Sequence, residues 1–167
     1  MTDTNAPVDS AVAKRYAIEQ RVKSGANWFY WIAGLSILNT TILVAGKDIY
    51  FPVGLGITLV ITTIASEVGA AAQVLGLGMN LLAAGMFVFL GVMARKRLPW
   101  AFIVGLVLYG LDGLLLLLAQ DLIGLAFHAL AFASILGGLK AANRLNRERA
   151  VPFSEPVVET QRESLTS

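Results

Sequence analysis

Asp112 and His128 are the two side chains with the clearest capacity for chemistry. Asp112 is the only acid well inside an apolar stretch, and His128 is the only histidine in the chain. The turn between them centres near Gln120 and Asp121, which places both residues about 12 Å from the turn at 1.5 Å per helical residue. Two antiparallel helices with so short a turn pack together, so we expect an Asp112 to His128 hydrogen bond if the two faces meet.

Two interpretations of this pair remain open. An ionisable side chain near mid-membrane costs about 2.5 to 3.5 kcal/mol and needs a partner, water or loss of its charge. One interpretation is a proton-responsive or ligand-binding pair. The other is a structural clasp, in which Asp112 is neutral or paired and His128 fixes the hairpin, with Tyr109 and Asn80 contributing. We favour the clasp.

Other chemistries lack the residues that they need. The chain has no cysteine, which excludes disulfides, thiolate zinc sites and cysteine nucleophiles. A single histidine cannot build a three-ligand zinc site, and haem could use His128 only with a second axial ligand from another copy or a partner. No Gly-x-Ser-x-Gly elbow, P-loop or dinucleotide fingerprint occurs. We therefore expect no catalytic residue, no metal and no cofactor.

The elements that would position the pair are long apolar blocks. The chain has 167 residues, of which 56% are hydrophobic and 14% charged, and its mean hydropathy is +0.69. A soluble domain carries about 25% charge, and a membrane-spanning helix needs about 20 apolar residues. The pattern predicts an all-α integral membrane protein with four to five transmembrane helices and short loops. We expect the segments near 26–46, 49–66, 70–94, 98–119 and 122–141.

The two ends of the chain are polar. Residues 1–10 predict a disordered tail, and residues 143–167 a basic and then polar cytoplasmic tail. Residues 11–24 alternate apolar and charged side chains at nearly helical spacing, which indicates an amphipathic helix at the lipid headgroups. A helical extension of the first span into water explains that pattern equally well. A net charge of +2 is too small to suggest nucleic acid.

Charge and internal similarity give conflicting topologies. If all five blocks cross the membrane, 8 lysine and arginine residues lie on one side and 4 on the other. If the block 49–66 enters and leaves on the same side, 11 lie on one side and Lys47 alone lies on the other. The positive-inside rule favours the second arrangement. A weak similarity between residues 51–55 and 102–106 favours the first, as two successive hairpins running the same way. We leave the depth of the second block open.

Two stripes of small residues predict tight helix contacts, either within the chain or between copies. The residues recur at every fourth position. They are Gly54, Thr58, Thr62 and Ser66 in the second block, and Ala129, Ala133, Gly137 and Ala141 in the last block.

The sequence thus predicts a multi-pass protein of the plasma (inner) membrane, with the lipid bilayer as its first partner. We expect a non-catalytic component that acts as a homo-oligomer or as a subunit of a larger complex. The alternative is a small oligomeric transporter or channel that uses Asp112 and His128. In that case Thr58, Thr62 and Asn80 would line the path, and several copies would be needed to complete it.

Overall fold

The computed structural model describes residues 6–45 and 55–150, and 93% of these residues are helical, with no strand among them. The prediction of an all-helical chain is confirmed. Within these described ranges, five helices follow one another. They are α1 (Ala6–Val44), α2 (Gly56–Val68), α3 (Ala70–Arg95), α4 (Pro99–Leu118) and α5 (Leu122–Ala150).

Three of these helices, α3, α4 and α5, are long and apolar enough to cross a membrane. This supports a membrane protein, whereas the predicted count of four to five spans is not confirmed. The apolar half of α1 carries the buried polar residues Ser36, Asn39 and Thr40, which lower its hydropathy. Helix α2 has 13 residues, or about 20 Å of helix, which is shorter than the roughly 30 Å of hydrocarbon in a bilayer.

Helix α1 is longer than the sequence pattern suggested. It starts at Ala6 and continues without a break to Val44, so residues 6–10 are helical rather than part of a tail. Residues 11–24 are the same helix as the first span rather than a separate one at the headgroups. The physical reason is packing, because Ile18 and Val22 are buried in the core that all the long helices share.

Helix α5 likewise extends through residues 143–150, which the sequence predicts as part of the tail. Leu145 is buried, and its neighbour Asn146 donates a hydrogen bond from Nδ2 to the carbonyl oxygen of Arg97 (3.1 Å). Arg97 also forms an ion pair with Glu19 of α1 (2.8 Å). The connection between α3 and α4 therefore contacts both the first part of α1 and the last part of α5.

These contacts define a basic end of the bundle, formed by the first half of α1, the α3–α4 connection and the last part of α5. The opposite end contains the end of α1, the α2–α3 connection and the α4–α5 turn. All the lysines and arginines among the described residues lie at the basic end. They are Lys14, Arg15, Arg21, Lys23, Arg95, Lys96, Arg97, Lys140, Arg144, Arg147 and Arg149.

Helix α2 is a half-helix that does not cross the bundle. It runs antiparallel to α3, because Ala65 packs against Gly76 and the carbonyl oxygen of Thr58 accepts a hydrogen bond from Asn80 Nδ2 (3.2 Å). Asn80 is the eleventh of the 26 residues of α3, so α2 begins near mid-bundle and ends at the opposite end. Both α1 and α2 thus end there. Both arrangements of the second block stay predictions, because residues 46–54, where the block begins, lie outside the described residues.

Aromatic packing holds the long helices together at the centre. The ring of Phe29 lies 6.1 Å from Phe87 of α3 and 6.1 Å from Phe102 of α4, centroid to centroid. Nearer the basic end, Gly25 of α1 and Gly138 of α5 bring their backbones so close that a methyl group on Gly25 would lie 2.7 Å from Gly138 Cα. Helix α1 is thereby fixed against α3, α4 and α5.

Candidate functional site

The first turn of α2 is capped by a side chain from another helix. Asp112 of α4 accepts a hydrogen bond from the backbone N–H of Gly56 at Oδ2 (2.8 Å) and another from Ile57 at Oδ1 (2.8 Å). The N-cap residue Leu55 has no polar side chain that could cap the helix. Helix N-termini leave N–H groups unsatisfied, and a carboxylate there gains both charge-assisted hydrogen bonds and the favourable end of the helix dipole.

His128 of α5 completes the arrangement on the other side of the carboxylate. Its Nε2 lies 2.9 Å from Asp112 Oδ2, and its Nδ1 lies 3.1 Å from the carbonyl oxygen of Gly124. The Tyr109 ring stacks on the imidazole with centroids 4.2 Å apart and planes 10° apart. The structure therefore brings together the two residues that the sequence singled out. Only 4% of each side chain is accessible.

The hydrogen-bond partners of Asp112 and His128 determine how many protons the two side chains hold together. The Gly124 carbonyl oxygen can only accept, so Nδ1 carries a proton and donates to it. Nε2 then faces a carboxylate oxygen, and the 2.9 Å contact requires one proton between them. That proton resides either on the imidazole, which gives a buried ion pair, or on the carboxyl group, which gives a neutral pair. In both forms every polar atom of the pair has a partner from this chain.

A second set of polar contacts supports the start of α2 from α1 and from α2 itself. Ser36 Oγ accepts a hydrogen bond from the N–H of Leu55 (2.7 Å) and donates to the carbonyl oxygen of Ile32 (2.7 Å). Thr58 Oγ1 donates to the Leu55 carbonyl oxygen (2.6 Å). Together, Ser36 of α1, Asp112 of α4 and His128 of α5 thus hold the first turn of α2 from three other helices.

Asn80 of α3 binds α2 just past the two residues whose N–H groups donate to Asp112. Its Nδ2 donates to Thr40 Oγ1 of α1 (3.3 Å) as well as to the Thr58 carbonyl oxygen of α2. It is almost fully buried. Asn80 thus bridges α1, α2 and α3, and it supports the site that Asp112 and His128 form.

The remaining residues predicted from the sequence lie elsewhere. Gly54 is outside the described residues, as is the side chain of Thr62. Ser66 is exposed near the end of α2, and its hydroxyl donates to the Thr63 carbonyl oxygen (2.6 Å). Of the stripe in the second block, Thr58 is therefore the residue that takes part in buried contacts, and these contacts lie at the start of α2.

Most of the small-residue stripe of α5 faces away from the other helices of the chain. Ala129 and Ala133 are exposed, and a methyl group on Gly137 would meet no atom within 4 Å, whereas Ala141 is buried. The sequence left open whether the stripe makes contacts within the chain or between copies, and Ala141 is the member of the stripe that is buried within the described part of the chain. The buried face of α5 contains Gly124, His128, Ala131, Ile135, Gly138, Ala141, Ala142 and Leu145. Small residues occupy both faces of α5, so spacing alone could not separate them.

Sequence reasoning did not identify the backbone N–H groups of Gly56 and Ile57 or the hydroxyl of Ser36. The Asp112 to Gly56 contact joins residues 56 positions apart, and no local pattern encodes it. One signal was available, because the second block is short and contains small residues near its start, which is typical of a helix that begins inside a bundle rather than at a membrane surface.

Two apolar grooves flank α4 beside the buried pair. One has a volume of about 470 Å³ and is bordered by Leu55, Ile57 and Phe87 with Asp112 at its edge. The other, of about 360 Å³, lies between α4 and α5 and is bordered by Tyr109, Phe132 and Leu136 with His128 at its edge. Apolar side chains provide nearly all of both linings, so these grooves are suited to lipid rather than to water or ions.

Among the described residues, no group of three or more histidine, cysteine, aspartate or glutamate side chains is arranged to hold a metal ion. Comparison of the chain with family models, curated proteins and solved structures gives no match. The structure itself defines the class: an all-helical membrane protein in which a half-helix is capped by a buried aspartate–histidine pair.

Proposed function

We propose that this protein is a non-catalytic membrane component that acts as a homo-oligomer or as a subunit of a larger complex. The observation that carries the proposal is the use of Asp112. Both of its oxygens accept hydrogen bonds from backbone N–H groups of α2, and Oδ2 also contacts His128 Nε2. Asp112 and His128 thus hold three helices together, which supports a structural rather than a catalytic use of the pair.

The outward face of α5 supports an association with another helix. Ala129, Ala133 and Gly137 form a ridge of small side chains on the surface of a helix that is apolar enough to span a membrane. Small residues let the backbones of two membrane helices approach closely, and the resulting van der Waals contacts drive association in lipid.

Native mass spectrometry of the detergent-extracted protein tests the proposal. We expect the wild-type chain to appear with a second copy or with a stoichiometric partner, and Gly137→Leu to lose that species because its side chain separates the two backbones. Gly85→Leu is the matched control, since Gly85 is also exposed and has no neighbour within 4 Å, but lies on α3. A wild-type chain that is monomeric and without a partner contradicts the proposal.

A small oligomeric transporter or channel is the second candidate. The observation in its favour is the position of the α2 N-terminus near mid-bundle beside an ionisable pair, since discontinuous helices contribute their ends to the central sites of transporters. Flux into proteoliposomes that disappears in His128→Gln, while the variant keeps the wild-type melting temperature, would support this candidate. Equal flux in the two proteins would reject it.

We also propose that the basic end lies in the cytoplasm and that the protein resides in the plasma (inner) membrane. All 11 basic residues of the described part lie at that end. Lysine and arginine accumulate in the cytoplasmic flanks of membrane helices, so the charge distribution supports this orientation.

A further inference from the structure

Arg95 lies where the basic end meets the apolar part of the bundle, in a position fixed by α1. Its Nη2 donates to Asn27 Oδ1 (2.6 Å), and its guanidinium carbon lies 5.0 Å from the centroid of the Tyr30 ring. These contacts hold the side chain over the surface of α1 instead of letting it extend into water. Asn27, Tyr30, Trp31, Gly34 and Arg95 together border a surface depression of about 450 Å³.

The positive charge of Arg95 has no carboxylate beside it among the described residues. Arg97 is paired with Glu19, and Arg144 with Glu148. Arg95 instead contacts a neutral amide and a ring face. A guanidinium has five N–H donors, so most of them remain available, and its planar fork matches the oxygens of a phosphate group.

The depression is located where a membrane lipid would place its phosphate. Arg95 is the last residue of α3, and Trp28, Tyr30 and Trp31 lie at the same level of α1. Tryptophan and tyrosine concentrate at the boundary between headgroups and hydrocarbon. The charged group therefore lies at the headgroup level, with apolar surface directly beneath it.

A second depression, of about 350 Å³, begins at the same place and continues toward the hydrocarbon. It shares Asn27 and Trp31 with the first and reaches Leu35 and Phe127 between α1 and α5. Trp31 is 65% exposed and separates the two depressions. Below the first depression, the surface at Gly34 is open, since a methyl group there would meet no atom within 4 Å. Each side of Trp31 thus offers a path for one acyl chain.

We propose that Arg95, Asn27 and Trp31 form a binding site for an anionic glycerophospholipid. Arg95 binds the phosphodiester, Asn27 holds the guanidinium in place, and the two acyl chains lie on either side of Trp31. The ten other basic residues of the described part lie at the same end and favour an anionic over a zwitterionic headgroup through their combined field.

Lipid titration followed by native mass spectrometry tests this site. Delipidated full-length protein is mixed with phosphatidylglycerol or with phosphatidylcholine of the same acyl chains, and the bound lipid is counted. We expect phosphatidylglycerol to bind more tightly than phosphatidylcholine, because the choline group of the latter carries a positive charge that the basic end repels. We expect Arg95→Gln to weaken the binding of both lipids at least about tenfold, because both headgroups contain the phosphodiester that Arg95 binds and a hydrogen bond to a charged group contributes that much.

Arg147→Gln is the matched control, since Arg147 is an exposed arginine near the end of α5 and its replacement removes the same charge. It should keep the wild-type affinity for both lipids. Trp31→Ala should also weaken the binding of both lipids, and because Trp31 is 65% exposed its replacement leaves no cavity in the core. Inorganic phosphate should not displace the lipid, because it cannot occupy the acyl paths. Equal lipid affinity in wild type and Arg95→Gln, an equal loss in Arg147→Gln, or displacement by phosphate would overturn the proposal.

Discussion

The carboxylate of Asp112 lies 2.8 Å from the backbone nitrogen of Gly56, so α4 provides the cap that the sequence of α2 lacks. The same oxygen lies 2.9 Å from His128 Nε2 of α5. A single side chain thus joins three helices inside the bundle. This relationship leads directly to the first two predictions.

Asp112→Asn should destabilise the protein by about 1 to 5 kcal/mol, because replacing one partner of the buried pair leaves polar groups without partners; a neutral pair gives the lower part of this range and an ion pair the upper part. Asparagine offers one acceptor oxygen for two N–H groups, and its own NH₂ would face the N–H of Gly56 or Ile57. Thermal unfolding in detergent, followed by circular dichroism, measures the loss. Asp121→Asn is the control: Asp121 Oδ1 accepts from the N–H of Gly124 (2.9 Å) at the start of α5, where asparagine caps as well as aspartate. Equal melting temperatures for all three proteins would contradict the clasp.

Asp112→Asn and His128→Gln should be strongly coupled. Once either partner is replaced, the contact between the two side chains is already altered, so the second replacement costs less than it does alone. Residues that share a hydrogen bond show interaction energies of about 0.5 to 3 kcal/mol in double-mutant cycles. The free energies of unfolding of wild type, both single variants and the double variant give this value. Strict additivity would mean that the two residues act independently.

Gly25→Ala should destabilise the packing of α1 on α5 by about 1 to 3 kcal/mol, the usual cost of overpacking. The added methyl group would lie 2.7 Å from Gly138 Cα and 3.0 Å from the Ser134 carbonyl oxygen. These are backbone atoms, so relief requires the helices to separate. Gly34→Ala on the same helix meets no atom within 4 Å and should be neutral or slightly stabilising, since alanine is the better helix former. Thermal unfolding of both variants checks the difference, and an unchanged Gly25→Ala protein would disprove the close helix contact.

Cysteine labelling should show that α2 begins and ends without crossing the membrane. The chain has no native cysteine, so single replacements report directly. Ala45→Cys, Glu67→Cys and Ala119→Cys at the opposite end should react with a membrane-impermeant maleimide from one side, and Lys96→Cys and Arg147→Cys from the other. All five positions are exposed. If Glu67→Cys reacted from the side of Lys96→Cys, α2 would cross completely.

The sequence allowed the helical class and the Asp112 to His128 contact to be predicted, because both follow from local features. Apolar block lengths indicate helices, and equal spacing on either side of a short turn places two residues at the same depth. The cap on Gly56 could not be predicted, since it depends on how α2 and α4 are positioned by the rest of the bundle. The sequence thus predicted the Asp112–His128 part of the site, but not the backbone N–H groups of Gly56 and Ile57 that Asp112 also binds.

The start of the first helix and the packing face of α5 could not be derived from the sequence for a related reason. Residues 11–24 have a pattern that suits either a headgroup helix or the extension of a span, and only the burial of Ile18 and Val22 distinguishes them. On α5, the small residues around Gly137 and Gly138 provide two adjacent faces. Gly138 packs against Gly25 and Phe102, whereas Gly137 has open space. Which face packs within the chain is decided by the partner helix and not by α5 itself.

The position of α2 also constrains how the protein is made. Gly56 leaves the ribosome 56 residues before Asp112, a delay of about 3 to 11 s at common rates of synthesis. During that interval the first turn of the half-helix has no carboxylate to bind, and His128 follows later still. The hydrogen bonds that cap the half-helix therefore form only after the fourth helix has been synthesised, and the contact with His128 only after the fifth, whereas its contacts with Ser36 and Asn80 have their partners earlier.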